Sequence, residues 1–315
     1  MNIVILDGHA LNPGDLDWGC LNRFGSVRYF DRTATEADAI ERIGDADIVL
    51  LNKTPITESL LAACPGIKLI CVLATGYNVV DCAAAAQRGI PVCNVPDYGT
   101  QAVAQFTFAL LLELCHHVGL HNESVHNGDW TNHPDFCYWK TQQMELAGKT
   151  LGIVGYGRIG RAVAKLAEAF GMRVLAYNRT HYEGETYVTL DELLTKSDVV
   201  SLHCPLHPET KEIINANTIA KMKNGAILIN TARGPLLAEQ AVADALKSGK
   251  LRGVAVDVAG KEPIPANSPL LTAPNCIITP HIAWAPLESR QRLLDCVVSN
   301  IENFLNGTTQ NAVNM

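Results

Sequence analysis

The chain has 315 residues, 48% of them hydrophobic and 18% charged, which suggests two folded domains and argues against extended disorder. Its net charge of −7 provides no broad basic field, so we expect no nucleic-acid partner. The ten cysteines stand singly, without the Cys-x-x-Cys pairs of zinc or redox motifs, and we expect reduced thiols in the cytosol.

The N-terminal third alternates short apolar runs with segments of helical composition. The runs occupy residues 3–6, 47–51, 69–73 and 91–95. Such alternation predicts βα units around a parallel sheet. No basic residue precedes the first run, so we interpret it as a strand and not as a secretory signal.

A different pattern follows near residue 100. Residues 101–121 are apolar in nearly every turn, which predicts one long buried helix. The apolar run 106–112 ends at a glutamate, far short of the roughly 20 residues of a membrane span, so we expect no membrane segment. Residues 126–138 are rich in Asn, Gly, Asp and Pro and predict a loop.

The predicted helix carries three histidines close together, His116, His117 and His121. No acidic or cysteine ligand evidently accompanies them, so we expect no metal site.

Six further apolar runs, separated by helical segments, lie between residues 150 and 279. They occupy residues 150–154, 173–177, 199–203, 226–230, 253–258 and 276–279. Six strands suit a doubly wound dinucleotide-binding domain. A final helix near residues 286–305 is predicted to return to the first domain.

These elements predict an α/β fold class with two doubly wound, Rossmann-like domains. The dinucleotide-binding domain spans residues 100–286. It is inserted in a discontinuous, flavodoxin-like substrate domain formed by residues 1–99 and 287–315.

Residues 155–160 read Gly-Tyr-Gly-Arg-Ile-Gly and fit the dinucleotide fingerprint G-x-G-x-x-G between a strand and a helix. The first glycine permits the tight turn, the second lets the backbone approach a pyrophosphate, and the third lets the helix pack on the strand. The predicted cofactor contacts of this turn are Gly155, Gly157, Arg158, Ile159 and Gly160.

The second strand of this unit ends at Asn178, Arg179 and Thr180. An acidic residue commonly stands there and binds the ribose hydroxyls of NAD. Here Arg179 could pair with a 2′-phosphate and Thr180 could donate to it, which favours NADP over NAD. The alternative is a solvated Arg179 beside an Asn178 that still bonds the ribose.

Titratable residues concentrate at the predicted carboxyl ends of the later strands, where open α/β sheets bind ligands. Arg233, Glu262 and His281 are the main candidates. Reduction of a 2-keto acid needs a cation for the carboxylate, which Arg233 could supply, and a proton donor, which His281 could supply. A carboxylate such as Glu262 would favour the imidazolium form of His281.

The chain resembles the D-2-hydroxyacid dehydrogenases. The resemblance rests on the glycine turn and on the segments at 203–210, 230–234, 256–263 and 279–283, so it covers residues 150–285 with high specificity. It implies that Arg233 binds substrate, that Glu262 orients His281, and that His281 is the acid and base. It also implies that other residues line the cofactor: Thr107, His203, Cys204, Pro205, Thr210, Thr231, Ala232, Asp257, His281 and Ala283.

The same resemblance gives roles outside the triad formed by Arg233, Glu262 and His281. Thr75 and Gly76 are placed to offer backbone N–H groups to the substrate carboxylate. A homodimer is implied, and in related reductases a tryptophan of the partner subunit reaches the active site, for which Trp139 is the candidate. Gln105 and Trp284 depart from the family pattern.

Within the family, the chain is most similar to glycerate dehydrogenases and hydroxypyruvate (glyoxylate) reductases. The expected reaction is hydride transfer between NAD(P) and a small D-2-hydroxy acid such as D-glycerate. A D-lactate-type dehydrogenase is an alternative, and so is a nucleotide-sensing, corepressor-like binding protein. Phosphoglycerate and formate enzymes are disfavoured, the latter because they carry Gln at the position of Glu262.

Overall fold

The computed structural model describes residues 1–180 and 187–315, which divide into two compact units. The first unit comprises Met1–Gly99 and Ala285–Met315, and the second comprises Thr100–Trp284. Both are α/β units with parallel sheets, so the predicted fold class is confirmed.

The first unit has a five-stranded sheet in the order β2-β1-β3-β4-β5, which is the flavodoxin-like order. Its strands are β1 (Asn2–Ile5), β2 (Ser26–Tyr29), β3 (Ile48–Leu51), β4 (Leu69–Val72) and β5 (Val92–Cys93), and its first helices are α1 (Glu36–Ile43), α2 (Glu58–Ala63) and α3 (Cys82–Gln87). Strands β3 and β4 are buried along their whole length and form the centre of the core. Side-chain caps start the three helices, at Thr35, Thr57 and Asp81, because each accepts a backbone N–H that the first helical turn leaves unpaired.

The second unit has a six-stranded sheet in the order β11-β10-β9-β8-β6-β7. Its helices are α4 (Thr100–His116), α5 (Val118–His126), α6 (Arg158–Ala169), α7 (Leu190–Lys196), α8 (Ala216–Lys221) and α9 (Glu239–Lys247), and its strands are β6 (Thr150–Val154), β7 (Arg173–Tyr177), β8 (Val199–Leu202), β9 (Ala226–Asn230), β10 (Leu251–Val256) and β11 (Cys276–Ile278). A parallel bridge from Ala176 to Tyr187 adds a rudimentary strand outside β7. With that bridge counted, the first strands take the 3-2-1-4 order of dinucleotide-binding sheets, and the order reverses between β6 and β8.

The prediction of one helix over residues 101–121 was wrong at His117. This residue adopts a left-handed conformation with φ of 46°, which ends α4 and starts α5 in a new direction. In the described part of the chain no single helix has the length and apolar character of a membrane span, although α4 and α5, bent by 56°, meet both criteria as a pair.

The last helix, α10 (Leu287–Leu305), belongs to the first unit. Its Arg290 is 7% exposed and forms a bidentate ion pair with Asp15, at 2.6 and 2.7 Å. The same guanidinium donates to the carbonyl oxygens of Leu11 and Ala285. These four bonds satisfy a nearly buried cation and attach the C-terminal helix to the N-terminal segment.

Candidate active site

The glycine turn lies where the chain leaves buried strand β6 and enters α6. Gly155 has φ of +98°, and a Cβ there would lie 2.4 Å from the backbone nitrogen of Cys204. A Cβ at Gly160 would lie 2.3 Å from the carbonyl oxygen of Gly155. Only glycine therefore fits these two positions without displacing backbone.

Gly157 differs from the other two glycines of the turn. Among the described residues, no heavy atom outside its immediate neighbours lies within 4 Å of the place where its Cβ would be. Gly157 is also the N-cap of α6 and offers no capping side chain. An open backbone at a helix N-terminus is a suitable site for a pyrophosphate, so the turn fits a dinucleotide.

Asn178 follows β7, and its side chain hydrogen-bonds to the glycine turn and to Thr180. The backbone N–H of Tyr156 donates to Asn178 Oδ1 at 3.1 Å, and Asn178 Nδ2 donates to the carbonyl oxygen of Thr180. The side chains of Arg179 and Thr180 are exposed. Arg179 makes no ion pair with any residue that the structure describes, so its guanidinium can bind an anionic ligand.

His203 and Cys204 follow β8 directly beside Gly155. His203 Nε2 lies 2.8 Å from Ser201 Oγ, and burial lowers the pKa of His203 to about 3, so the ring is neutral at physiological pH. Burial likewise raises the pKa of the Cys204 thiol to about 11. Next in the loop, Thr210 Oγ donates to the carbonyl oxygen of Pro205 at 2.8 Å.

Asn230, the last residue of β9, organises the turn that carries Arg233. Its Nδ2 donates to the Arg233 carbonyl oxygen at 2.8 Å, and its Oδ1 accepts the N–H of Ala232 at 3.0 Å. Inside the same turn, Thr231 Oγ1 lies 3.1 Å from Thr107 Oγ1 of α4. The Arg233 side chain is exposed, and its Nη1 donates to the carbonyl oxygen of Ala232.

Asp257 follows β10, is 1% exposed, and binds the segment after β11. It accepts the hydroxyl of Thr279 at 2.6 Å and the backbone N–H groups of Ile282 and Ala283 at 2.9 and 2.8 Å. His281 lies between these partners with φ of 57°. The three bonds thus hold the turn in which His281 takes a conformation that side chains other than glycine rarely adopt.

Glu262 and His281 form a hydrogen-bonded pair. Glu262 Oε2 lies 2.8 Å from His281 Nδ1, while Glu262 Oε1 accepts the N–H of Ala259 at 3.1 Å. Both side chains are partly exposed, at 39% and 35%. Because Nδ1 is engaged by the carboxylate, Nε2 is the ring nitrogen that remains for proton exchange with a ligand.

The first unit carries the other predicted substrate contacts at the carboxyl edge of its sheet. Thr75 Oγ1 donates to the Val95 carbonyl oxygen, and Asn94 Nδ2 donates to the Thr75 carbonyl oxygen, both at 2.8 Å. The backbone N–H groups of Thr75 and Gly76 have no acceptor among the described residues. Two such groups in one loop are suitable donors for a carboxylate.

Trp139 and the histidines of α4 and α5 take no part in the contacts described above. Trp139 is 68% exposed in the segment between α5 and β6, and in the described structure it makes no hydrogen bond or ring contact with the triad. The helix histidines contact neighbouring loop residues: His116 Nδ1 lies 2.8 Å from Gln143 Oε1, and His121 Nε2 accepts the N–H of Lys140. In the part of the chain that is described, no three His, Cys, Asp or Glu residues are grouped as a metal site.

Two organising residues were missed by sequence reasoning. Asn230 was treated only as part of a strand end, although its side chain fixes the Arg233 turn. Thr279 was taken as a strand residue, although its hydroxyl binds Asp257. A polar side chain at the last position of a predicted strand was the available signal for both.

Comparison with known proteins identifies the family. The family model for the NAD binding domain of D-isomer specific 2-hydroxyacid dehydrogenases matches residues 108–283. The chain belongs to this dehydrogenase family. The suspected resemblance is thereby confirmed, and the protein is an oxidoreductase that acts on CH–OH groups with a nicotinamide dinucleotide.

Full-length relatives of this dehydrogenase are known. A hydroxypyruvate reductase of Blautia hydrogenotrophica is 55% identical over 321 residues and covers 100% of both chains. A glycerate dehydrogenase of Methylorubrum extorquens is 41% identical, with 99% of this chain and 98% of the relative covered. The crystal structure of a Thermus thermophilus protein matches with a TM-score of 0.87 at 36% identity, over 99% of this chain and 100% of that one.

Proposed function

We propose that this dehydrogenase reduces hydroxypyruvate and glyoxylate to D-glycerate and glycolate, with NADPH preferred to NADH. The observation that carries the reaction is the Glu262 to His281 hydrogen bond of 2.8 Å at the same sheet edge as Arg233 and the open glycine turn. The choice of keto acid is supported by the relatives, which are named as a hydroxypyruvate reductase and a glycerate dehydrogenase.

The triad residues have distinct roles in this proposal. Arg233, whose turn is fixed by Asn230, binds the substrate carboxylate and carbonyl oxygen with its planar guanidinium. His281 Nε2 donates a proton to the carbonyl oxygen during reduction and accepts it back during oxidation. Glu262 holds the ring through Nδ1 and stabilises the charge that His281 carries before the proton leaves. The nicotinamide, when bound, supplies the hydride.

The second unit is proposed as the dinucleotide-binding domain and the first as the substrate domain. Gly157 and the N-terminus of α6 would receive the pyrophosphate. Thr75 and Gly76 would bind the substrate carboxylate through their unpaired N–H groups. The other cofactor-lining residues follow from the family pattern and stay predictions, as do the partner-subunit role of Trp139, the homodimer and the cytosolic location.

The NADPH preference depends on Arg179. The three described residues that follow β7, at positions 178–180, include no carboxylate, and the Asn178 side chain is already bonded to Tyr156 and Thr180. A carboxylate would repel a 2′-phosphate, whereas the exposed Arg179 can pair with it in a bidentate geometry.

The test is oxidation of NADPH and of NADH with hydroxypyruvate, glyoxylate and pyruvate. We expect turnover of the first two keto acids, faster with NADPH. Arg179→Ala should lower kcat/KM for NADPH at least about tenfold and leave NADH nearly unchanged. Arg173→Ala, at the opposite end of the same strand, is the matched control. Absence of turnover with all three acids would refute the reaction, and a wild-type preference for NADH would refute the role of Arg179.

A further inference from the structure

In the first unit, one carboxylate accepts hydrogen bonds from the backbone of the loop after β3, residues 52–54. Asp7, which follows β1, accepts the backbone N–H groups of Asn52 at 2.6 Å, Lys53 at 2.5 Å and Thr54 at 2.8 Å. Three donors on one carboxylate fix the backbone from which the Lys53 side chain extends. Asp7 lies next to this loop because β1 and β3 are neighbouring strands, and its carboxylate is bonded to backbone N–H groups and not to the Lys53 ammonium.

This loop is also attached to the loop that contains Thr75 and Gly76. Asn52 Nδ2 donates to the Leu73 carbonyl oxygen at 2.9 Å, before Thr75 in the chain. Ile56 N–H donates to the Val79 carbonyl oxygen at 2.9 Å, after Gly76. Strands β3 and β4 are hydrogen-bonded in register up to Leu51 and Val72. The two loops therefore run side by side, with Lys53 between the two attachments.

Two polar groups in this loop lack partners among the described residues. Lys53 is exposed, and its ammonium forms no ion pair or hydrogen bond with any described residue. Thr54 is 5% exposed, yet its Oγ1 has no hydrogen-bond partner in the described structure. A buried hydroxyl without a partner is uncommon in folded proteins and usually has a structural or functional explanation.

We propose that Lys53 is a specificity-determining residue that donates a hydrogen bond to an oxygen on C3 of the keto acid. The proposal rests on the proposed function, in which Thr75 and Gly76 bind the carboxylate. A donor held beside that loop reaches the part of the substrate next to the reacting carbon. An ammonium group has three hydrogen-bond donors and no acceptor, so it binds the hydroxyl oxygen of hydroxypyruvate and gains nothing from the methyl group of pyruvate.

Three substrates separate this role from a general electrostatic one. Hydroxypyruvate has a hydroxyl on C3, pyruvate has a methyl group there, and glyoxylate has no C3. For Lys53→Met, we expect kcat/KM with hydroxypyruvate to fall about 10- to 100-fold, the loss of one charge-assisted hydrogen bond. The values for pyruvate and glyoxylate should change by no more than about twofold. Lys53→Arg should restore part of the hydroxypyruvate activity.

Lys68→Met is the matched control. Lys68 is an exposed lysine of the same unit that precedes β4, at the opposite edge of the sheet, and it pairs with Asp47 at 2.8 Å. Its loss should leave the ratio of the three substrates unchanged. If Lys53→Met lowers kcat/KM equally for all three substrates, Lys53 contacts the shared carboxylate and the proposal is overturned. An unchanged kcat/KM for hydroxypyruvate would overturn it as well. A wild-type enzyme inactive on all three acids would overturn the proposed function and the role of Lys53 with it.

Discussion

Replacing Gly157 or Gly160 of the turn by alanine is expected to have different effects, on cofactor affinity in the first case and on stability in the second. Gly157 has φ of −81° and ψ of −156°, a backbone conformation open to any residue, and its Cβ would meet no described atom within 4 Å. Gly157→Ala should therefore change the free energy of unfolding by less than about 1 kcal/mol. The new methyl group would stand where the pyrophosphate approaches, and a steric cost of about 1–3 kcal/mol raises the cofactor Kd about 5- to 150-fold.

Gly160→Ala should instead destabilise the protein. Its Cβ would lie 2.3 Å from the Gly155 carbonyl oxygen and 3.2 Å from Ile153 Cγ2. The first of these is backbone and cannot rotate away, so the overpacking cost of about 1–3 kcal/mol applies. Alanine has a better helix propensity than glycine, which offsets at most about 1 kcal/mol of this cost. The free energy of unfolding should therefore fall by up to about 2 kcal/mol.

Urea unfolding and cofactor titration of both variants make the comparison. Wild-type cofactor affinity in a stable Gly157→Ala protein would refute the placement of the pyrophosphate at this turn. A Gly160→Ala protein as stable as wild type would refute the packing argument for the third glycine.

Two other predictions concern pH and an exposed tryptophan. In the folded protein the pKa of His203 is lowered to about 3, so the ring is neutral, whereas in the unfolded chain it takes up a proton near pH 6.5. The contribution of His203 to stability is therefore complete above pH 6.5 and declines as the pH falls below that value. Between pH 7.5 and pH 5, wild type should lose about 2 kcal/mol more unfolding free energy than His203→Gln in urea titrations. Equal losses would contradict a ring that stays neutral in the folded protein. Trp139→Ala should raise the KM for the keto acid and leave the Tm nearly unchanged, because the side chain is 68% exposed. Unchanged kinetics would remove Trp139 from the site.

Sequence reasoning was most informative where the physical signal is local. The glycine turn, its flanking strand and its following helix lie within about twenty consecutive residues, and each glycine has a steric reason that the structure reproduces at Gly155 and Gly160. The six strands of the second unit were visible as apolar runs for the same reason. Strand ends then indicated Arg233, Glu262 and His281, and the structure shows the Glu262 to His281 hydrogen bond.

Features that depend on distant partners were not predictable. The Asn178 side chain was expected near a ribose, and nothing in the sequence shows that it bonds Tyr156, 22 residues earlier. Asp257 was expected to line the cofactor, while its bonds to the 279–283 turn appear only when β10 and β11 are paired. The break at His117 was missed because apolar periodicity continues through it and a left-handed histidine has no sequence signature.

The central claim is that His281 transfers the proton in a nicotinamide-dependent reduction of a 2-keto acid. The most direct measurement is kcat for hydroxypyruvate reduction by His281→Asn, with cofactor Kd measured on the same protein. His126→Asn, an exposed histidine at the end of α5, is the matched control. We predict that kcat falls about 100- to 10,000-fold in His281→Asn, with cofactor affinity retained and the control unaffected. A His281→Asn enzyme that reduces hydroxypyruvate at the wild-type rate would contradict the account.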